Sequence, residues 1–255
     1  MSRSGPVPSA VPAAGARSAE ERSAAVTASI AVRLGTRFGP RVILAAVAVF
    51  LVAVPFCLLL LLVESHWPAF VRADFAISDR LHQYALGHAA WVLLMKAFSY
   101  AGSAQVYLPV LTVLAGWLLW QRRPRIALFV VATALGSSLL NTAVKAAVSR
   151  ARPVLPHPVE TSGGWSFPSG HAQGAITTYL LILIALWPVL HGLWRRAAVA
   201  SAAVMVTGIG FSRIALGVHF LSDVVAGYAL GAAWLAVAAA VFGVWRIDRP
   251  GVNPR

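Results

Sequence analysis

The chain has 255 residues, of which 59% are hydrophobic and 11% charged, with a mean hydropathy of +0.75. A soluble domain carries roughly a quarter charged residues, so this balance excludes an ordinary soluble enzyme and reads as an integral membrane protein. The net charge of +13 does not read as a nucleic-acid surface, because most basic residues flank apolar runs instead of forming a stripe.

Residues 1–40 are rich in Ala, Ser, Arg, Pro and Gly and lack apolar periodicity, the composition of a disordered tail. An organelle transit peptide has a similar Arg- and Ser-rich start, but Glu20 and Glu21 oppose that reading. The domain expected after the tail is 41–245, with a short tail at 246–255. The first apolar run, 42–63, holds 22 residues without a charge, enough to cross a hydrocarbon core of about 30 Å. The single cysteine, Cys57, lies inside it and is expected as a small lipid- or core-facing side chain. Residues 64–90 mix His66, Trp67, Arg72, Asp74, Asp79, Arg80 and His82, and are predicted as an external loop with an amphipathic interfacial piece. A second span is predicted at 103–120, a basic turn at 122–125 and a third span at 126–148. The Pro- and Gly-rich stretch 149–168 is a loop. Further spans follow at 172–190, 197–216 and 219–244, giving an all-α bundle of six transmembrane helices. In the last of them Gly227 and Gly231 form a GxxxG pattern, which lets another helix approach closely.

Basic residues orient the spans. The N-terminal tail, the 122–125 turn, the 195–196 turn and the C-terminus hold 14 of the 21 Lys and Arg. The positive-inside rule then places both termini in the cytoplasm of a multi-pass plasma-membrane protein. The 149–171 loop and His219 share the external face.

Three clusters meet there. Lys145 and Arg152 lie at the end of span three. Ser169, Gly170 and His171 lie at the start of span four, where free backbone N–H groups favour an anion. Arg213, His219 and Asp223 lie around the start of span six. If that segment is helical, Asp223 shares a face with His219, four residues away, and can fix its tautomer. A membrane-level aspartate is expensive unless it is used. Together the clusters supply what phosphoryl transfer needs. Lys145, Arg152 and Arg213 clamp phosphate oxygens; Ser169 and the Gly170 N–H add neutral donors. His219 attacks phosphorus and becomes a phosphohistidine, Asp223 orients it, and His171 protonates the leaving oxygen and then activates water. No cluster of acidic and histidine side chains remains for a metal pair, so neither metal nor other cofactor is expected. Arg150 carries two readings of equal weight, a contact to a second phosphate or a charge at the membrane surface.

The residues Lys145-x6-Arg152-Pro153, Pro168-Ser169-Gly170-His171 and Ser212-Arg213-x5-His219-x3-Asp223 resemble the three-part signature of the type 2 phosphatidic acid phosphatase family. The vanadium haloperoxidases share that superfamily. Every signature position is filled, and the resemblance covers about 95–240. It implies a six-helix membrane phosphatase with a covalent phosphohistidine. It also implies lipid substrates within the bilayer: phosphatidic acid, phosphatidylglycerophosphate or a polyprenyl diphosphate. No obligate protein partner is evident. Two other classes stand beside this reading: a vanadate-dependent peroxidase, opposed by the short external loops, and a non-catalytic lipid-phosphate binding or transport protein. The latter would be favoured by a degraded catalytic position, and there is none.

Overall fold

The computed structural model describes Phe50 and residues 53–243. The expected tails at 1–40 and 246–255 lie outside the described residues. Among those described, every regular element is helical: α1 (Ala53–Glu64), α2 (Pro68–Leu86), α3 (Ala89–Ala101), α4 (Ala104–Trp120), α5 (Pro124–Val148), α6 (Gly170–Leu186), α7 (Gly192–Ala215) and α8 (Leu221–Phe242). Pro68 and Pro124 stand in the first turns of α2 and α5, where a missing N–H costs nothing and the fixed φ suits a helix.

Three helices, α5, α7 and α8, are long and apolar enough to cross a bilayer by themselves. The count rises to five if each bent pair is one span: α1 with α2, at 100°, and α3 with α4, at 41°. Large apolar side chains stand exposed on the outside, among them Leu93, Val113, Leu139 and Leu193. Such a surface suits lipid and would be a liability in water. Cys57 is also exposed. The interior holds buried Asp74, Ser78, His82, Arg213, His219 and Asp223.

The segment expected as an external loop with an amphipathic interfacial piece, 64–90, is mostly the continuous helix α2, which supplies the amphipathic piece over more of the segment than expected. Its buried residues Asp74, Ser78, His82 and Ala85 recur every three or four positions, so the polar stripe faces inward. The alternation of charged and apolar residues that suggested a surface loop is the mark of a helix with a polar interior to satisfy. His82 Nε2 lies 2.7 Å from the Pro156 carbonyl. A carbonyl only accepts, so Nε2 donates there and ties α2 to the 149–169 loop.

In the core, α6 packs against α7 and α8, α5 against α4, α6 and α8, and α3 against α7. The GxxxG pair serves this packing within the chain. A Cβ on Gly227 would stand 2.6 Å from the Ser169 carbonyl oxygen, and one on Gly231 would stand 3.0 Å from that of Gln173. The α8 surface therefore touches the start of α6 backbone to backbone, which draws Ser169 and Gly170 toward Asp223. The contact is sealed by the Ser169 N–H, which donates to the Asp223 carbonyl at 2.9 Å.

Candidate active site

His219 lies outside α8, in the short connection after α7, with Phe220 extended at φ −78° and ψ 160° and the helix beginning at Leu221. The expected four-residue helical spacing is therefore not what pairs it with Asp223. Instead Asp223 folds back from the first turn of α8. Its Oδ2 accepts the Phe220 N–H at 2.9 Å and lies 3.3 Å from His219 Nδ1. One carboxylate oxygen thus caps the helix and orients the ring. A carboxylate in the first turn also complements the positive end of the helix dipole.

The other ring nitrogen settles the tautomer. Arg152 Nη1 lies 3.1 Å from His219 Nε2. A guanidinium has no acceptor, so Nε2 accepts and carries a lone pair, while Nδ1 carries the proton toward Asp223. Burial holds His219 well below its ordinary value, at about 4. The bond to Asp223 and its charge pull the other way, and Arg152 and Arg213 add to the lowering. A ring held so low is neutral near pH 7, with its lone pair toward Arg152.

Arg152 is itself held by neutral groups. It donates to the carbonyls of Val218 at 2.7 Å, Gly163 at 3.0 Å, Gly164 at 3.1 Å and Trp165 at 3.3 Å. Lys145 Nζ donates to the Trp165 carbonyl at 2.5 Å. Among the described residues neither cation has a carboxylate within ion-pair distance. Carbonyls fix their positions and leave their charge uncompensated, which is what an anion pocket requires. Burial pushes Arg152 below its ordinary value, and the nearby Arg213 acts in the same direction. The loop around them is anchored by Ser166, whose N–H donates to the Arg150 carbonyl at 2.8 Å and whose hydroxyl donates to that of Ala151 at 2.9 Å.

Arg213 is buried at 2% exposure. Its Nη1 donates to the Ser99 hydroxyl and, at 2.5 Å, to Glu160 Oε1. Its Nε is buried with no hydrogen-bond partner. An orphaned charged donor costs free energy unless an acceptor meets it. Ser169 is fully buried and caps α6, its hydroxyl accepting the Ala172 N–H at 3.4 Å. The serine therefore serves the start of the helix that carries His171. Gly170 lies against Asn141, where a Cβ would come 3.2 Å from Oδ1. His171 lies within electrostatic reach of the cations Arg213, Arg152 and Lys145 and of the His219 ring. It lines a cavity of about 220 Å³ between α4, α5 and α6, with Tyr107, Asn141, Gln173 and Thr177. The three clusters are thus gathered into one place.

Neither reading of Arg150 describes its surroundings. It lies neither open toward a second phosphate nor out at the membrane surface. Its Nη1 donates to Asp223 Oδ1 at 2.6 Å and Ser222 Oγ at 2.7 Å, and its Nη2 to Asp74 Oδ2 at 2.9 Å. Its Cζ stacks 4.2 Å from the centre of the Phe220 ring. Asp74, Ser99, Glu160 and Ser222 all lie outside the set expected from sequence. The available signal for Asp74 was the four-residue spacing of Asp74, Ser78 and His82; Glu160 is one of only eight acidic residues in the chain.

The PAP2 superfamily model matches residues 125–247. Phosphatidylglycerophosphatase B of Bacillus subtilis is 30% identical over 177 residues, covering 68% of this chain and 85% of that protein. Decaprenylphosphoryl-5-phosphoribose phosphatase of Mycobacterium tuberculosis is 33% identical over 177 residues, covering 68% of this chain and 92% of that protein. The crystal structure of a transmembrane PAP2-type phosphatidylglycerolphosphate phosphatase from Bacillus subtilis superposes with a TM-score of 0.68 at 26% identity, covering 78% of this chain and 98% of that one. With relatives matched along most of their length, the chain belongs to the PAP2 superfamily.

Proposed function

We propose that this membrane lipid phosphatase removes a terminal phosphomonoester from a lipid, with His219 as nucleophile. The observation that carries the proposal is the state of His219. Its Nε2 lone pair is presented to Arg152, while Asp223 holds the opposite nitrogen. Incoming phosphate replaces the ring as partner of Arg152, takes the unfilled Nε of Arg213 and meets Lys145 on its third side. Ser169 and the Gly170 N–H supply neutral donors. Nε2 attacks in line, the P–O bond to the lipid breaks, and His171 gives that oxygen a proton. The alcohol leaves toward the His171 cavity. His171, now neutral, takes a proton from water, which attacks phosphorus, releases phosphate and restores His219. No metal is assigned a step.

A monoester is favoured because Arg150, the candidate for a second phosphate, is already engaged by two carboxylates. The names of the relatives, a phosphatidylglycerophosphatase and a decaprenylphosphoryl-phosphoribose phosphatase, agree with single-phosphate removal from a lipid. For topology, the reading is six spans: α1, the α3–α4 pair, α5, α6, α7 and α8. The 17 residues of α6 span about 26 Å, near the lower limit for a bilayer. The basic 122–125 and 195–196 turns then face the cytoplasm with both termini, and the phosphate pocket opens to the external leaflet.

The test is phosphate release by the purified protein in detergent with EDTA present, on phosphatidylglycerophosphate, phosphatidic acid, a polyprenyl diphosphate and a soluble phosphomonoester. Wild type should turn over the lipid monoesters fastest and His219→Ala should show no turnover while remaining folded. Activity retained in His219→Ala would remove the nucleophile assignment. Preference for the diphosphate would overturn the monoester reading, and loss of activity in EDTA would show a missed metal.

A further inference from the structure

Asp223 has two carboxylate oxygens, and only Oδ2 is spent on His219 and the helix cap. Oδ1 is held by Arg150, which the phosphate pocket does not use. Arg150 is held in turn by Asp74 of α2, 76 residues earlier in the chain and outside the stretch that matches the superfamily model. Asp74 grips the first turn of α8 directly as well. Its Oδ1 accepts the Ser222 N–H at 3.1 Å, and its Oδ2 accepts the Ser222 hydroxyl. The side chains of Arg150, Asp74 and Asp223 are 13%, 4% and 0% exposed. The chain of contacts runs from α2 through the loop arginine to the carboxylate that orients the ring, with no gap.

We infer that Asp74 and Arg150 are positioning residues of the phosphatase reaction, acting through Asp223 on His219. The inference rests on the proposed roles of His219 and Asp223. Its physical content is twofold. First, a carboxylate caught on both oxygens cannot rotate, so the ring it holds keeps Nε2 aimed at phosphorus. Second, Arg150 separates two buried carboxylates that would otherwise confront each other. The group of Asp74, Arg150 and Asp223 carries two negative charges and one positive. The single negative charge left over supports the imidazolium-like ring that forms as Nε2 bonds to phosphorus. α2 thereby becomes part of the catalytic apparatus: the segment expected as an external loop with an amphipathic interfacial piece supplies the outer end of the support.

The experiment compares Asp74→Asn, Arg150→Lys, Arg150→Gln and the double variant Asp74→Asn/Arg150→Gln with wild type, on a lipid monoester and a lipid diphosphate. Size-exclusion profile and melting temperature in detergent report folding. Asp74→Asn and Arg150→Gln should each lower kcat on the order of a hundred-fold, the effect of a misplaced reacting group, with KM within about a factor of three. Arg150→Lys, which keeps the charge but not the fork, should recover part of that loss. The double variant should be no worse than the poorer single, because one orientation is lost once. Vanadate, bonding to Nε2 as a five-coordinate mimic of the transition state, should lose affinity by a factor comparable with kcat. That last measurement needs no turnover and reads the inference even in a protein inactive on every lipid offered.

Multiplying losses, a rise in KM at constant kcat, a selective loss of the diphosphate, or unchanged vanadate affinity would each overturn it. Should Arg150→Gln not fold, Asp74→Asn and Arg150→Lys decide, and wild-type kcat in both would overturn it as well. Failure of the phosphatase reading itself looks different: wild type and His219→Ala would then release phosphate equally, or not at all.

Discussion

The two sides of the His219 ring are built from the same residue types and held in opposite ways. On the Nε2 side, Lys145 and Arg152 are fixed by backbone carbonyls and keep their charge free. On the Nδ1 side, Arg150 is neutralised by Asp74 and Asp223. Arg150 and Arg152 are two residues apart on one loop, yet one is met by two carboxylates and the other by carbonyls and the His219 ring. Under the proposed function this makes Arg150 a brace and Arg152 a substrate ligand. The lesson is that the holding partner, more than the arginine, decides the role. Carbonyls position a cation without discharging it; carboxylates discharge it and gain rigidity from the exchange. Arg213 lies between the extremes, with one nitrogen paired to Glu160 and another left without a partner.

The largest break in this comparison should come from Arg152→Ala. Loss of a charged donor on the phosphate side should lower kcat on the order of a hundred- to a thousand-fold. Because Arg152 also meets the ground-state phosphate, KM should rise with it. That pattern separates Arg152 from Arg150, whose substitution is expected to spare KM. Steady-state kinetics on one lipid monoester checks it, and an unchanged KM in Arg152→Ala would erase the distinction.

A smaller effect is expected at the contact that joins the two sides. Gly227→Ala would push a Cβ toward the Ser169 carbonyl, 2.6 Å away, and part α6 from α8. A cost of about 1–3 kcal/mol is expected for overpacking of this kind. The melting temperature should fall, and activity with it, as Ser169 and Gly170 move from the pocket. Gly116→Ala is the control, since a Cβ there meets nothing within 4 Å. Equal melting temperatures for the two variants would show that the close contact does not matter.

The gentlest probe is pH. His219 is held at about 4 against an ordinary 6.5, so its folded form takes up a proton later than the unfolded chain. As pH falls from about 6.5 toward 4 the unfolded state binds the proton first, and the contribution of this group to stability declines over that window. The groups facing the ring are Asp223, Arg152 and Arg213, with His171 and Lys145 nearby. In nitrogen-15 histidine spectra of the detergent-solubilised protein, His219 Nε2 should remain unprotonated at pH 6. Half-protonation near 6.5 would mean that the ring is not buried as described, and that Arg152 does not rest on a lone pair.

The apolar runs and the three reactive clusters were legible without coordinates, because hydropathy, turn residues and short spacings are local properties. Spans predicted at 126–148, 197–216 and 219–244 correspond to α5, α7 and α8 within a few residues. GxxxG was also readable as a close approach. The inward stripe of the 64–90 segment was not, because Asp74, Ser78 and His82 are buried while Arg72 and Arg80 stay exposed, and the sequence carries no mark of what that stripe meets.

By itself, then, the sequence determined that this is a polytopic membrane protein with the three-part signature that Lys145, Arg152, Ser169, Gly170, His171, Arg213, His219 and Asp223 carry. Only the tertiary structure decided which arginine meets carboxylates and which meets carbonyls, which nitrogen of His219 faces Arg152, and that Asp74 and Glu160 pair with Arg150 and Arg213. Those outcomes rest on contacts between residues as far as 148 positions apart, such as Asp74 with Ser222. Such pairs leave no period or spacing in the chain, because they are set by how whole helices pack.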